Sequence, residues 1–324
     1  MLAAGKERSG LHCRPTLSPA PQALAGFLAE VRARVDARLP ELLAGLPVLG
    51  APGSEPLDPL PLAAREALLS PGKRVRPAVV YLVGELFAAR DKRLLDPACA
   101  VEMVHAASLA LDDLPSMDDA STRRGRPALH VVHGEDLAVL AAVTLLSRAF
   151  GVLADAGLQG GAEGALSPTA ALDLVSRLAD SCGLAGLASG QALDLRTAEE
   201  QASFDRLETI HARKTGALFV ASAEFGAVLG GARHKELAAV RGYAKNVGLA
   251  FQIVDDLLEE KPPEETGKAA RRPSAPSFVR HVGAGAARRL VAELTEHAVD
   301  ALQPFGARAV LLKEFAAGLR DRTS

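Results

Sequence analysis

The chain has 324 residues, 48% of them hydrophobic and 23% charged, and its 37 Lys and Arg against 39 Asp and Glu leave a formal net charge of −2. That balance excludes wholesale disorder. It also excludes a surface field that would gather nucleic acid, so any anionic ligand must be held by a local cluster of cations.

Residues 1–24 are rich in Ala, Pro, Ser and Arg and lack the continuous apolar stretch of a signal peptide, so an unprocessed chain is expected, and residues 1–20 read as a loose tail. No later stretch reads as apolar enough to cross a bilayer, and a soluble chain without stable membrane insertion is expected. Pro, Gly and Ser cluster again over 47–61, including Ala51-Pro52-Gly53-Ser54, which predicts a loop. Elsewhere Ala, Leu, Glu and Arg dominate, with apolar spacings of three and four, as in Val101, Val104 and Leu111 or Leu172, Val175 and Leu178. This spacing predicts helices over 21–45, 62–69, 75–90, 97–112, 134–157, 169–193, 203–230, 234–259, 284–302 and 306–320. No strand alternation stands out. Short turns and uniform composition predict one all-α domain, residues 21–324, of about ten helices. Cys13, Cys99 and Cys182 are too far apart for a structural zinc set and suit a reduced, cytoplasmic setting.

Two acidic clusters stand at helix ends. Val101, His105, Ser108 and Asp112 fall at steps of four, three and four and share one helical face. Pro115 then breaks the helix, which lets Asp118 curl back and set its carboxylate beside that of Asp112. In the second cluster Gln252, Asp255, Asp256 and Glu259 line one stripe at i, i+3, i+4 and i+7. Paired carboxylates repel unless a cation lies between them, and oxygen-only donors suit Mg²⁺ rather than zinc.

Basic groups are placed to receive a phosphate. Gly72-Lys73-Arg74-Val75-Arg76-Pro77 sets three cations at the first turn of a helix, where unpaired N–H groups already favour anions. Arg123-Arg124-Gly125 follows the first acidic cluster closely. His211 and Lys214 stand three apart ahead of Thr215-Gly216, where a glycine can bend the helix and open backbone carbonyls.

As a set, Gly72–Pro77, Glu102 through Asp119, Arg123–Pro127, Lys214-Thr215-Gly216 and Phe251-Gln252-x-x-Asp255-Asp256 resemble the trans-isoprenyl diphosphate synthases, in the right order over 62–320. The stretch 102–156 is especially similar to the geranylgeranyl diphosphate synthases of bacterial carotenoid pathways. The resemblance implies an all-helical domain around a deep central cavity, usually a homodimer, that joins isopentenyl diphosphate to an allylic diphosphate. It implies that Asp112, Asp118 and Asp255 bind Mg²⁺, in roughly three ions with substrate bound, and that these acids together with Lys214 are the catalytic set. Arg123, Lys214 and Lys268 would contact the allylic diphosphate. Lys73, Arg76, His105 and Arg124 would hold isopentenyl diphosphate, and Thr215 and Gln252 would face the reacting carbons.

Two departures mark the chain. Glu259 stands where the family usually has Asp, and Arg271–Phe278 replaces a segment in which the family has Gly-Lys. Product length depends on what blocks the growing tail, and Ala107 and Ser108, about 6–8 Å before Asp112 along the helix, are both small. A C20 product, geranylgeranyl diphosphate, is therefore expected. Two other readings predict different chemistry: an enzyme that ionises a prenyl diphosphate without condensing it, and a non-catalytic subunit of a heteromeric synthase.

Overall fold

The computed structural model describes residues 21–44, 58–159, 165–198, 202–259 and 276–321. The tail 1–20, Lys268 and residues 271–275 of the altered loop lie outside the described residues.

The chain is built almost wholly from helices: α1 (Pro21–Ala44), α2 (Leu60–Leu69), α3 (Val75–Leu86), α4 (Asp91–Asp112), α5 (Leu129–His133), α6 (Glu135–Leu158), α7 (Pro168–Cys182), α8 (Leu187–Arg196), α9 (Phe204–His211), α10 (Ala217–Leu229), α11 (His234–Glu259), α12 (Phe278–Val282), α13 (Ala284–Ala301) and α14 (Val310–Gly318). The sheet among the described residues is a two-strand hairpin, β1 (Thr122–Arg123) against β2 (Arg126–Pro127), with Arg123 facing Arg126 in register.

Two apolar cores share a wall. Val101, Met103, Leu145, Leu153 and Leu174 pack α4, α6 and α7 together, while Tyr243, Val247, Phe251 and Val291 join α11 to α13. Helices α3 and α10 feed both: Val80 and Phe225 face the first core, Val83 and Phe219 the second. Their backbones approach closely enough that a Cβ on Gly226 would lie 2.3 Å from the Val80 carbonyl oxygen, so only glycine fits there. This wall holds the start of α3, with its basic loop, in fixed relation to the ends of α4 and α11.

Several boundaries differ from the sequence expectation. Helix α4 begins at Asp91 rather than at Pro97, because Leu94, Ala98 and Val101 continue one buried stripe through the proline. The helix expected over 169–193 is two, α7 and α8, broken at Gly183–Gly186; a Cβ on Gly186 would sit 2.0 Å from the Ser181 carbonyl oxygen. The helix expected over 203–230 is interrupted by a π-helical turn, Ala212–Gly216. Gly306, at φ +58°, kinks the 3₁₀ segment Gln303–Ala309 that leads into α14. The expectation that no segment is apolar enough to span a bilayer also needs correction. By length and composition α4 and α6 both are, and 67% and 39% of their apolar windows are buried inside the fold. The α6 value leaves an apolar face uncovered.

Candidate active site

The first acidic cluster closes α4. Asp112 is the last residue of the helix, and the Asp118 N–H donates to the Asp112 carbonyl at 2.9 Å, which folds the Pro115 loop back onto the helix end. Asp112 and Asp118 are half-buried. Burial is the largest influence on the Asp112 carboxyl and pushes it up to about 6, with Asp118 adding to the rise and Lys214 and Arg123 opposing it. Such a carboxylate favours a cation beside it. Asp113 points the other way, is buried, and accepts from Arg123 Nε at 2.9 and 3.1 Å, so Arg123 is anchored at the edge of the site.

The second cluster is reached through the π-helical turn. Lys214 Nζ lies 4.0 Å from Asp118 Oδ2 and donates to Asp194 Oδ2 at 2.7 Å. On the next residue, the Thr215 hydroxyl donates to Gln252 Oε1 at 2.7 Å, on α11 one turn before Asp255. One turn of chain therefore links both acidic motifs. Glycines permit this packing: a Cβ on Gly190 would lie 2.2 Å from the Lys214 backbone nitrogen, and one on Gly248 would lie 3.0 Å from Gly216 Cα.

Arg76 reports the same convergence. It is pushed down to about 10, mainly by burial and further by Arg124, against the opposing pull of Glu102, Asp255 and Asp112. Acids of both motifs thus act on one guanidinium, which also lies over the Phe219 ring at 5.2 Å.

His105, Arg123, Arg124 and Arg126 line a groove with Glu102 and Asp113. Arg124 Nη1 donates to the Pro71 carbonyl at 2.7 Å and ties the β1–β2 hairpin to the basic loop. His105 is held well below its ordinary value of 6.5, first by burial and then by Arg76, Arg124, Arg123 and Arg74, so it is a neutral donor among cations. Lys73 is exposed on the same loop.

The sequence expectation needs two corrections here. Arg74 is not a third cation of the cradle: it caps α3 at φ +50°, is buried, and donates to Asp36 and Glu102 at 2.7 Å each. Desolvating a guanidinium requires such partners, and they turn it inward. The acidic stripe of α11 also divides, for Asp255 and Glu259 are half-buried while Asp256 is 1% exposed and engaged by hydrogen bonds. Among the described residues no three His, Cys, Asp or Glu side chains gather at metal-ligand spacing. The candidate metal carboxylates instead sit on separate elements, an arrangement suited to a cation bound together with phosphate oxygens.

Sequence reasoning missed Asp194 and Gln191. Both are buried on α8, Asp194 fixing Lys214 and Gln191 donating to Met117 Sδ at 3.7 Å, beside Asp118. A polar pair at i and i+3 flanking Ala192 and Leu193, one and four residues after Gly190, was the available signal.

Residues 59–272 match the polyprenyl synthetase family model. Geranylgeranyl pyrophosphate synthase 4 of Arabidopsis thaliana is 40% identical over 258 residues, 78% of this chain and 67% of that protein. The geranylgeranyl diphosphate synthase of Pantoea ananas is 40% identical over 250 residues, 76% of this chain and 77% of the relative. Among solved structures, a geranyltransferase from Legionella pneumophila superimposes with TM-score 0.81 at 29% identity, covering 94% of this chain and 98% of that one. An FPP/GFPP synthase from Zymomonas mobilis gives 0.78 at 30%, covering 93% and 100%. The chain belongs to the polyprenyl synthetase family, and the reaction class is prenyl transfer.

Proposed function

We propose that the chain condenses isopentenyl diphosphate with an allylic diphosphate, in a Mg²⁺-dependent reaction, to give geranylgeranyl diphosphate. The observation that carries this reading is the Lys214–Thr215 turn, bound towards Asp118 and Asp194 on one side and to Gln252 on the other, which gives both acidic motifs one cleft. Asp112, Asp118 and Asp255 would hold Mg²⁺, which when bound neutralises the allylic diphosphate and stabilises it as a leaving group. The donors fit: all are carboxylate oxygens, and the Asp112 carboxyl carries a burial cost that a cation relieves.

The chain's own residues do the rest. Lys214, oriented by Asp194, and Arg123, oriented by Asp113, present cations to the departing diphosphate. His105, Arg76 and Arg124, with Lys73, hold the second diphosphate so that its carbon–carbon double bond faces the allylic carbon. The allylic C–O bond breaks, that double bond attacks the delocalised cation, and a new C–C bond forms. The Gln252 carbonyl oxygen and the backbone of the π-helical turn face the cation with partial negative charge. Loss of a proton to the released diphosphate restores the double bond.

Support for the C20 length is that Ala107 is wholly buried and Ser108 is small and half-buried, so no bulky side chain projects one turn before Asp112. The names of the similar relatives point the same way. We also infer a homodimer: Val131, Val132, Val139, Leu140 and Val143 leave an apolar strip along α5 and α6 that is about half exposed at most positions. Light scattering of the purified chain should give twice the mass of 33.7 kDa, and a monomer at micromolar concentration removes that part of the reading. A cytoplasmic location is also part of the reading, with Cys99 and Cys182 as free thiols; recovery of the chain from a secreted fraction contradicts it.

The reaction is tested with Mg²⁺, isopentenyl diphosphate and farnesyl diphosphate. Pyrophosphate should appear only with both substrates, and the dephosphorylated product should run as the C20 alcohol. Release from farnesyl diphosphate alone would replace condensation by simple ionisation, and no release in any combination would leave a non-catalytic subunit.

A further inference from the structure

Asp256 stands beside Asp255 in the second acidic motif, yet the two carboxylates do different things. Asp256 is 1% exposed. Its Oδ1 accepts from Gln252 Nε2 at 3.0 Å, and its Oδ2 accepts from the Ser277 hydroxyl at 3.2 Å and the Phe278 N–H at 3.1 Å. His211 Nε2 lies 4.0 Å from the same oxygen. A metal at Asp256 would have to displace these donors from a closed interior.

We propose that Asp256 is a positioning residue, not a metal ligand: its two acceptor oxygens set the orientation of Gln252 and pin the start of α12 to α11. The inference rests on the condensation reading above. Both Asp256 oxygens act as acceptors, so the amino end of the Gln252 amide faces Oδ1 and its carbonyl end faces Thr215. The Thr215 hydroxyl completes the pattern, donating to that carbonyl at 2.7 Å. With the amide reversed, oxygen would face oxygen at 3.0 Å and Thr215 would have to turn its own acceptor pair to the amino group. The acceptor oxygen of Asp256 thus fixes which atom of Gln252 stands beside the Lys214–Thr215 turn.

The second oxygen acts on the same turn by another route. Ser277 caps α12, its Oγ accepting from the Val279 N–H at 3.2 Å while its hydroxyl donates to Asp256. Phe278, held through its N–H, is fully buried and stacks on His211 at 5.2 Å between ring centres, with Phe204 edge-on at 5.5 Å. His211 is the residue immediately before the π-helical turn that carries Lys214 and Thr215. One buried carboxylate therefore braces both ends of the turn that joins the two acidic motifs.

Asp256→Asn keeps the shape and sets a donor against either Gln252 or the Ser277–Phe278 pair. The expected result is a fall in kcat of about 10- to 100-fold, as for other groups that orient a site from behind, with KM for both substrates changed by less than about twofold. Calorimetry should show Mg²⁺-dependent binding of inorganic pyrophosphate unchanged in Asp256→Asn and weakened in Asp255→Asn. The double variant Gln252→Ala/Asp256→Asn should lose less than the two single losses combined, because the two residues share the Gln252 amide while Asp256 also acts through Ser277 and Phe278. Weakened pyrophosphate binding like that of Asp255→Asn, additive losses, or an unchanged kcat would each overturn the proposal. If Asp256→Asn does not fold, Ser277→Ala carries the same measurements, with a smaller fall in kcat expected and an unchanged kcat counting against it. Wild-type chain in the same assay tests the condensation itself, so failure of that reading is seen separately.

Discussion

Asp112→Asn lowers kcat by about a thousandfold while the helical circular dichroism spectrum stays as it was, the loss expected when a group that organises charge stabilisation is removed from a closed site. The substitution is nearly isosteric at the last residue of α4, and the backbone bond from Asp118 is made to the main-chain carbonyl, which Asn retains. Folding should not suffer. The Asp112 carboxyl is raised from 3.8 to about 6, chiefly by burial, so the folded chain binds that proton more tightly than the unfolded chain does. Its stabilising contribution is full below 3.8 and is lost as pH rises through about 6, beyond which the bare carboxylate opposes folding. In metal-free buffer at neutral pH, Asp112→Asn should therefore melt no lower than the parent chain. Unchanged turnover, or a lower melting temperature, contradicts this account of Asp112.

Glu102→Ala is the largest expected loss of stability. Glu102 is 2% exposed and accepts from Arg74 Nη1 at 2.7 Å, and the Arg74 side chain is itself buried against Asp36 and the Ser70 carbonyl. Breaking a buried pair by removing one partner costs about 3–5 kcal/mol, because the other charge stays in the interior without its main counter-ion. The loss should change little between low and high salt, since the pair is shielded from solvent ions. The Glu102→Ala/Arg74→Ala double variant should lose less than the two single losses added together, since the second change removes the stranded charge. Urea unfolding measures all three. A loss in Glu102→Ala under about 1 kcal/mol would mean that the pair is a loose surface contact, contrary to its burial.

The helical class and both acidic motifs were legible in the sequence because each rests on local rules: apolar spacing at three and four, a proline that ends α4, carboxylates at fixed steps. What local rules could not supply is which partner claims a side chain. Arg74 and Arg76 are two residues apart in the same basic loop. One turns inward to Glu102, on a helix 28 residues away, and the other lies over Phe219. Asp255 and Asp256 are neighbours, and only the return of the chain at Ser277–Phe278 makes the second a brace. Asp194 looked like an ordinary polar residue of α8 until the fold placed Lys214 at 2.7 Å from it. The breaks at Gly183–Gly186 and at the π-helical turn were hidden for a related reason. Apolar periodicity continues across them, while the close approach that bends the chain comes from Ser181 in one case and from Gly190 and Gly248 in the other.

The most direct measurement is a crystal structure of the chain soaked with Mg²⁺ and an allylic diphosphate analogue that cannot ionise. Oxygens of Asp112, Asp118 and Asp255 should all bind metal ions shared with one diphosphate, with Lys214 donating to the same group. A diphosphate held by the α4 carboxylates alone, with Asp255 turned away from any metal, contradicts the shared cleft.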